Sequence, residues 1–276
     1  MRSFFMHKFK FFLLFLMLVF LFPIVSFSQQ RFKGVTESVN KATLSSPVDG
    51  TIKEILVKEG DWVKKDDPLI RLYRREQELE VSLRYKLWKN KVSLKAARLK
   101  EKNMLELLSA SKQLYETNHS VSKEELTRLQ IQFDQSHLKR IEMEIREEQE
   151  RIQYEIAKEQ LSKRIICSPI HAVVTKIFCH KGERSKANQQ LLKLVNPKIC
   201  FFKCNIEERF VSTLDTGKTI EVHFNIGNKT LKKNGEVVYV SPVVDPASGL
   251  MKIKVLIDNS DLVIRPGVSG QLLMHP

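Results

Sequence analysis

Three stretches of this chain carry different hydrophobic rhythms. Between residues 44 and 73, apolar and polar positions alternate in short runs such as Thr51-Ile52-Lys53 and Leu69-Ile70-Arg71-Leu72, punctuated by Gly50 and Gly60. Period-two runs bounded by turn residues predict short, half-buried strands. From Glu76 to Arg164 there is neither Pro nor Gly. Apolar residues there recur three and four apart: Leu79, Leu83, Leu87, Leu94, Ala97, Leu105, Leu108 and Leu114, then Leu126, Leu129, Phe133, Leu138, Ile141, Ile145, Ile152 and Ile156. This spacing predicts a two-stranded coiled coil with Glu148 at one seam position. The polar interval 117–122 supplies the reversal, and Ser122 followed by Glu125 has the form of a capped helix start. Each helix is then expected to be about 40 residues and roughly 60 Å long. Past residue 165 the alternation returns, with strands expected near 219–225, 235–240, 251–257 and 268–274, and turns at residues 245–249 and at Pro266-Gly267.

Charge supports the antiparallel pairing independently. Residues 84–102 hold Arg84, Lys86, Lys89, Lys91, Lys95, Arg98, Lys100 and Lys102 against Glu101 alone. Residues 142–150 hold Glu142, Glu144, Glu147, Glu148 and Glu150 against Arg146 alone. A reversal near His119 brings position 146 opposite position 92, so the acidic block meets the basic one and helps to fix register.

The segments on either side of the helical stretch repeat one another. Ser46-Pro47-Val48-Asp49-Gly50 corresponds to Ser168-Pro169-Ile170-His171-Ala172, and Glu59-Gly60-Asp61 to Lys181-Gly182-Glu183. Each half is too small to bury a core alone. Two halves close one sandwich if the segment between them leaves and returns to the same place, as an antiparallel helical hairpin does.

This pattern resembles the periplasmic adaptor, or membrane-fusion, proteins of tripartite efflux and secretion systems (HlyD-like and RND-type adaptors) over about residues 34–276. The resemblance implies an α+β fold: a lipoyl-like β-sandwich split by a long antiparallel coiled-coil hairpin and followed by a small β-barrel domain. Expected boundaries are 29–75 for an N-terminal strand and first half-motif, 76–164 for the hairpin, 165–197 for the second half-motif and 198–276 for the barrel. Gly50, Gly60, Gly182, Gly249, Pro266 and Gly267 are the turn residues of these motifs. The resemblance also implies an inner-membrane transporter and an outer-membrane channel as partners, and a homo-oligomer, trimer or hexamer, in the assembled complex. Many such adaptors continue into a membrane-proximal domain, for which this sequence is read as having no counterpart.

Arg2, Lys8 and Lys10 precede an apolar run at 11–22, and Ser26 and Ser28 follow. That order predicts an exported protein with a signal peptide over 1–28; the apolar run is short for a spanning helix. Removing the three leader cations lowers the formal charge from +14 to +11. The excess suits solubility, or contact with anionic lipid, lipopolysaccharide or an acidic partner; export argues against nucleic acid. Cys200 and Cys204 fall on one face of a single predicted strand roughly 13 Å apart, too far to bridge. Cys167 and Cys179 sit in neighbouring strands whose pairing stays open, and buried free thiols are the expectation for all four. A metal site from Cys179, His180 and His171 has no recognisable ligand spacing behind it.

Family members dock their hairpin tip through an Arg, an apolar residue and a Ser ahead of the second helix. Here Ser122 matches the last, and Leu114 or Tyr115 the apolar one. The Arg position falls near Ala110 and Ser111, with Lys112 the nearest base, which puts the usual channel contact in doubt because Lys lacks the planar fork of Arg. Leu114, Tyr115, His119, Val121 and Ser122 are therefore the candidate docking residues. Biotinyl and lipoyl carriers present a modifiable Lys in their central turn, which the helical segment replaces here, so no cofactor is expected. No nucleophile elbow, phosphate loop or H-E-x-x-H occurs. A structural adaptor is the leading reading. The alternatives are an extracytoplasmic coiled-coil protein coupled to no pump, and a biotin or lipoate carrier.

Overall fold

The computed structural model describes residues 30–211, 214–227 and 229–274; the expected signal segment lies outside them. Twelve strands and four helices are described. They follow in the order β1 (Gln30–Ser45), β2 (Gly50–Ile55), β3 (Trp62–Val63), β4 (Pro68–Leu72), α1 (Arg75–Lys89), α2 (Val92–Asn118), α3 (Lys123–Ser162), β5 (Ile165–Cys167), β6 (Ala172–Ile177), β7 (Arg184–Ser185), β8 (Gln190–Glu207), α4 (Glu208–Val211), β9 (Thr219–Ile226), β10 (Lys229–Val240), β11 (Leu250–Asp258) and β12 (Ser269–Met274). The chain forms two compact units, residues 41–195 and residues 30–40 with 196–274.

In the first unit the two half-motifs build one core. Ile52, Leu69, Ile70 and Leu72 from one half pack with Ile166, Val174, Leu191, Leu192 and Leu194 from the other, and all are buried. The halves are related by an offset of 122 residues that repeats bond by bond. Ser46 Oγ donates to the Val48 carbonyl at 2.6 Å, and Ser168 Oγ to that of Ile170 at 2.6 Å. Asp61 caps the Lys58 N–H at 2.8 Å, as Glu183 caps that of His180 at 2.8 Å. Each half also donates across to the other. Gly50 pairs with Ser185 and Val63 with Ala172. The Asp66 N–H donates to Ser168 O at 2.7 Å, and the Asn188 N–H to Ser46 O at 2.8 Å. Gly60 and Gly182 hold φ values of 97° and 85° in equivalent turns, a conformation from which a Cβ is disfavoured.

The arm replaces the turn between two adjacent strands. β4 and β5 pair antiparallel with Arg71 opposite Ile165, so the hairpin leaves and re-enters at one point. The returning helix α3 is a single 40-residue helix, about 60 Å long at 1.5 Å per residue. The outgoing half is not: it breaks at Asn90–Lys91 into α1 and α2, of 15 and 27 residues. The Asn90 side chain accepts from the Val92 N–H at 3.4 Å, and its own N–H turns back to Leu87 O at 3.1 Å. Asn competes with helix geometry by such local bonds. Beside the break, Trp88 stacks on Tyr154 at 5.4 Å between ring centroids and Tyr85 lies 5.5 Å from Tyr154, bracing α1 on α3.

The seam also differs from the expected stripe. Buried residues are Leu94, Ala97, Leu108 and Ser111 on α2, and Leu129, Ser136, Met143 and Ala157 on α3. The α3 set falls on seven-residue steps, the repeat that keeps a seam on its partner. Leu138, Ile145, Ile152 and Ile156 lie outside it and are exposed. Glu148 is likewise off the seam, paired with Arg151 at 2.6 Å. Leu94, Ala97, Leu108 and Leu129 are buried as the stripe predicts, but the small residues Ser111, Ser136 and Ala157 take other seam positions, so apolar size identified the buried face only in part. The charge blocks meet as their positions require. Lys91 pairs with Glu147, Arg98 with Glu144 at 2.9 Å, and Arg140 with Glu101 at 2.6 Å.

The second unit is a closed six-stranded barrel in the order β1–β12–β9–β10–β11–β8, with β8 returning to β1. Phe202, Ile206, Val222, Phe224, Val237, Ile253, Val255 and Leu272 fill it and are buried. Its first strand comes from the N-terminal end of the chain: Gln30 pairs with Met274 and Val35 with Ser269. Strand β8 runs through Asn196-Pro197 as a single element, with the two units dividing at 195/196 within it.

All four cysteines are free thiols; Cys167 is exposed and the other three are buried. Burial pushes the Cys179 thiol up to about 11 and the Cys204 thiol up to about 12. The thiolate is the reactive form and burial disfavours it. At mildly alkaline pH a thiol reagent is therefore expected to label one site quickly, Cys167, with the remaining three reacting only on unfolding. Mass spectrometry showing rapid double labelling of the native protein would contradict this.

Candidate docking site at the arm tip

The far end of the arm is a short polar reversal held by its own side chains. Helix α2 closes at His119, whose φ of 54° is left-handed. The His119 ring meets Tyr115 edge-on at 5.5 Å. The Asn118 side chain accepts from the Ser120 N–H at 3.1 Å. Ser122 then caps α3, its Oγ accepting from the Glu125 N–H at 3.1 Å. Glu124 and Glu125 lie in the first turn, where the helix dipole favours negative charge. The Arg128 guanidinium holds the Glu125 carboxyl below the usual carboxylate range.

The candidate residues are not equivalent. Leu114 and His119 face solvent, while Tyr115 and Val121 are half-buried. Ser122 is exposed, but its hydroxyl is committed to the cap. Ser111 is buried on the seam, so it cannot present a base to a partner; the solvent-facing positions nearby are Ala110 and Lys112. Ser111 lies three residues after Leu108 and fourteen after Ala97, both buried, so the spacing placed it on the seam; its small polar side chain is why it was not counted there.

Elsewhere, nothing gathers into a reactive centre among the described residues. His171 stacks on Trp62 at 5.2 Å and His180 faces Glu183 at 3.6 Å. No group of three His, Cys, Asp or Glu side chains is placed to hold a metal ion among those residues. The most connected charge network is on the arm: Arg98, then Arg140, holds the Glu144 carboxyl below its ordinary range, and His137 Nδ1 lies 2.6 Å from Glu101. The Arg98–Glu144 and His137–Glu101 contacts cross from α2 to α3 and serve the pairing of the two helices, while Arg140 and Glu144 pair within α3. No described helix is long and apolar enough to cross a membrane.

With its sandwich of two half-motifs, an arm in place of the central turn and a six-stranded barrel, the chain is similar in fold to a solved membrane fusion protein and to related structures. The family described as "Biotin-requiring enzyme" matches residues 40–72, the first half-motif. No curated protein matches the chain by sequence. Among solved structures, MacA from Actinobacillus actinomycetemcomitans superposes with a TM-score of 0.75 at 21% identity, over 89% of this chain and 78% of that one. The membrane fusion protein Spr0693 from Streptococcus pneumoniae R6 gives 0.57 at 17% identity, over 90% of this chain and 99% of that one. A MacA-MexA chimera carrying the Pseudomonas aeruginosa MexA α-hairpin domain gives 0.56 at 19% identity, over 90% and 78%. At these identities the likeness is one of fold.

Proposed function

We propose that this chain is the periplasmic adaptor subunit of a tripartite efflux or secretion system, exported to the cell envelope and linking an inner-membrane transporter to an outer-membrane channel. The observation that carries this reading is a compact β unit whose central turn is replaced by an arm of about 60 Å. Such an arm suits a role that spans a gap between two bodies. The turn that would carry a biotin or lipoate in a carrier domain is the one the arm occupies, which weighs against the carrier reading.

The tip is the proposed contact for the channel, with Leu114 as its exposed apolar anchor and Tyr115, His119, Val121 and Ser122 around it. Apolar side chains at the centre of a contact contribute out of proportion to their number. Leu114→Asp and Val121→Asp are each expected to reduce transport about tenfold or more in cells. Leu114 is exposed on the last turns of α2, so its substitution should change the free energy of unfolding by no more than about 0.5 kcal/mol, while the half-buried Val121 is expected to cost more. Undiminished transport by both variants at normal expression would mean that the tip touches nothing, favouring a coiled-coil structural protein coupled to no pump.

A further inference from the structure

The outer wall of the barrel carries a cleft of about 450 Å³, between strands β8, β10 and β11 and the loop that joins β10 to β11. That volume lies in the range of sites that take small molecules. Its floor depends on one irregularity in β10. Side chains alternate across a strand, so Tyr239 would share the inner face with Val237, which is buried in the barrel. The register against β11 slips between the two, with Val237 opposite Val255 and Tyr239 opposite Lys254. This β-bulge turns Tyr239 outward, 38% exposed, and Val240 packs on the core in its stead. Beside it Lys252 of β11 lies opposite Asn205 of β8, both exposed on the outer face.

The facing side of the cleft is a loop that holds its own shape. The Asp245 N–H donates to Leu250 O at 2.9 Å, and the Gly249 N–H to Asp245 O at 2.8 Å. Asp245 Oδ1 accepts from the Ala247 and Ser248 N–H groups at 2.9 and 3.0 Å. The Ser248 N–H, then that of Ala247, holds the Asp245 carboxyl below its usual range, so this charge is committed to the loop. Val243, which is 67% exposed, makes an apolar side with Val244, Pro246 and Leu250.

The cations around the cleft are not equivalent. Lys203 pairs with Glu37, and Lys254 lies over the Tyr239 and Phe201 rings at 4.9 and 5.8 Å. Glu207, the acid of β8, pairs with Arg209 at 2.6 Å. Lys252 has no carboxylate within ion-pair distance among the described residues. An open ammonium beside an amide and a phenol, facing an apolar wall, suits a negative group carried on an apolar body.

We infer that this cleft binds a small organic anion, a carboxylate or sulfonate on an apolar body, with its charge on Lys252 and its body against Val243, Val244 and Pro246. An inorganic anion would leave the apolar wall in water, and burial of that wall is what an organic body adds. The site lies wholly within the barrel unit, and binding is read on the purified protein, so the inference stands or falls apart from the adaptor reading.

The probes are 1-naphthoate and its neutral amide, 1-naphthamide, each titrated into the purified protein by calorimetry. Naphthoate should bind saturably, and the amide about tenfold or more weakly, because it lacks the charge-assisted bond. Lys252→Gln, on the exposed face of β11, should weaken naphthoate to the level of the amide without moving the thermal midpoint. Val243→Asp should abolish binding by placing a carboxylate on the apolar side. Lys232→Gln, at a barrel lysine outside the cleft that pairs with Glu221 at 3.4 Å, should leave the affinity unchanged. No saturable binding of naphthoate would overturn the proposal. So would equal affinity for acid and amide, or full affinity in Lys252→Gln. An equal loss in Lys232→Gln would also overturn it, by showing a general attraction of anions to a basic surface.

Discussion

Joining Tyr73 to Arg164 through an Asn-Gly turn is expected to give a folded, all-β protein devoid of transport activity. The ends can be joined because Arg71 already faces Ile165 across an antiparallel ladder, the geometry that a two-residue hairpin closes. The core beneath survives because both halves of the motif remain: Ile52, Ile70 and Leu72 keep Ile166, Val174 and Leu192. Entropy favours the change as well, since loop-closure cost rises with the length of the connection. Circular dichroism should lose its helical signature, while thermal unfolding stays cooperative. Residues 41–73 alone should show no cooperative transition, because every cross-half bond, such as Asp66 N–H to Ser168 O, would be missing. A shortened chain that aggregates or unfolds without cooperativity would mean that the arm is part of what holds the sandwich together.

A single methyl group at Gly34 should be as damaging to the barrel as that excision is to the arm. Gly34 lies on β1 opposite Gly270 of β12, against β8. A Cβ there would fall 2.4 Å from the Lys203 carbonyl oxygen and 2.5 Å from the Phe202 ring. The carbonyl is backbone and cannot swing away, and Phe202 is fully buried. Either β1 separates from β8, opening the barrel at the strand that closes it, or the core around Phe202 and Phe224 repacks. Overpacking of this kind costs about 3 kcal/mol, and Gly34→Val should exceed Gly34→Ala because it adds volume at the same point. Gly227 makes a useful control: nothing lies within 4 Å of its Cβ direction, and only its φ of 60° resists substitution. Denaturant titration would measure both. A Gly34→Val protein as stable as the parent would show that β1 can be displaced without loss, and that the barrel does not need its N-terminal strand.

How far the sequence could be read follows from which forces act locally. The two half-motifs were legible because turns are set by residues within reach of one another. Ser46 bonds two residues on at Val48, and Asp61 three residues back at Lys58, so the same chemistry recurs wherever the same letters recur. The cap at Ser122 was legible for the same reason. Charge blocks gave the register of the arm, because a reversal of known position leaves only one way to set Glu144 against Arg98. The face of the arm was read only in part, with Leu94, Ala97, Leu108 and Leu129 buried as expected, because hydrophobicity says that a residue wants a partner without saying which. Ser136 and Ala157 lie on the seam and Leu138 and Ile145 do not. The break at Asn90 was missed because one Asn in an otherwise helical run is a weak local signal. At the tip, spacing placed the reversal, and the small polar side chain of Ser111 hid its place on the seam.

The sequence by itself determined the order of strand, arm, strand and barrel, the place of the reversal, and the turns on which each half-motif rests. Those depend on neighbours along the chain and on glycine, proline and capping side chains whose geometry travels with them. Only the tertiary structure decided which segments share a core. Residues 30–40 enter the barrel more than 200 positions from β12, and their pairing of Gln30 with Met274 leaves no trace in local pattern. It likewise decided which apolar stripe of α3 faces inward. The stripe that faces inward, Leu129, Ser136, Met143 and Ala157, is less apolar than the exposed stripe of Ile131, Leu138, Ile145 and Ile152, so hydrophobicity along the chain could not select it; the pairing with α2 did.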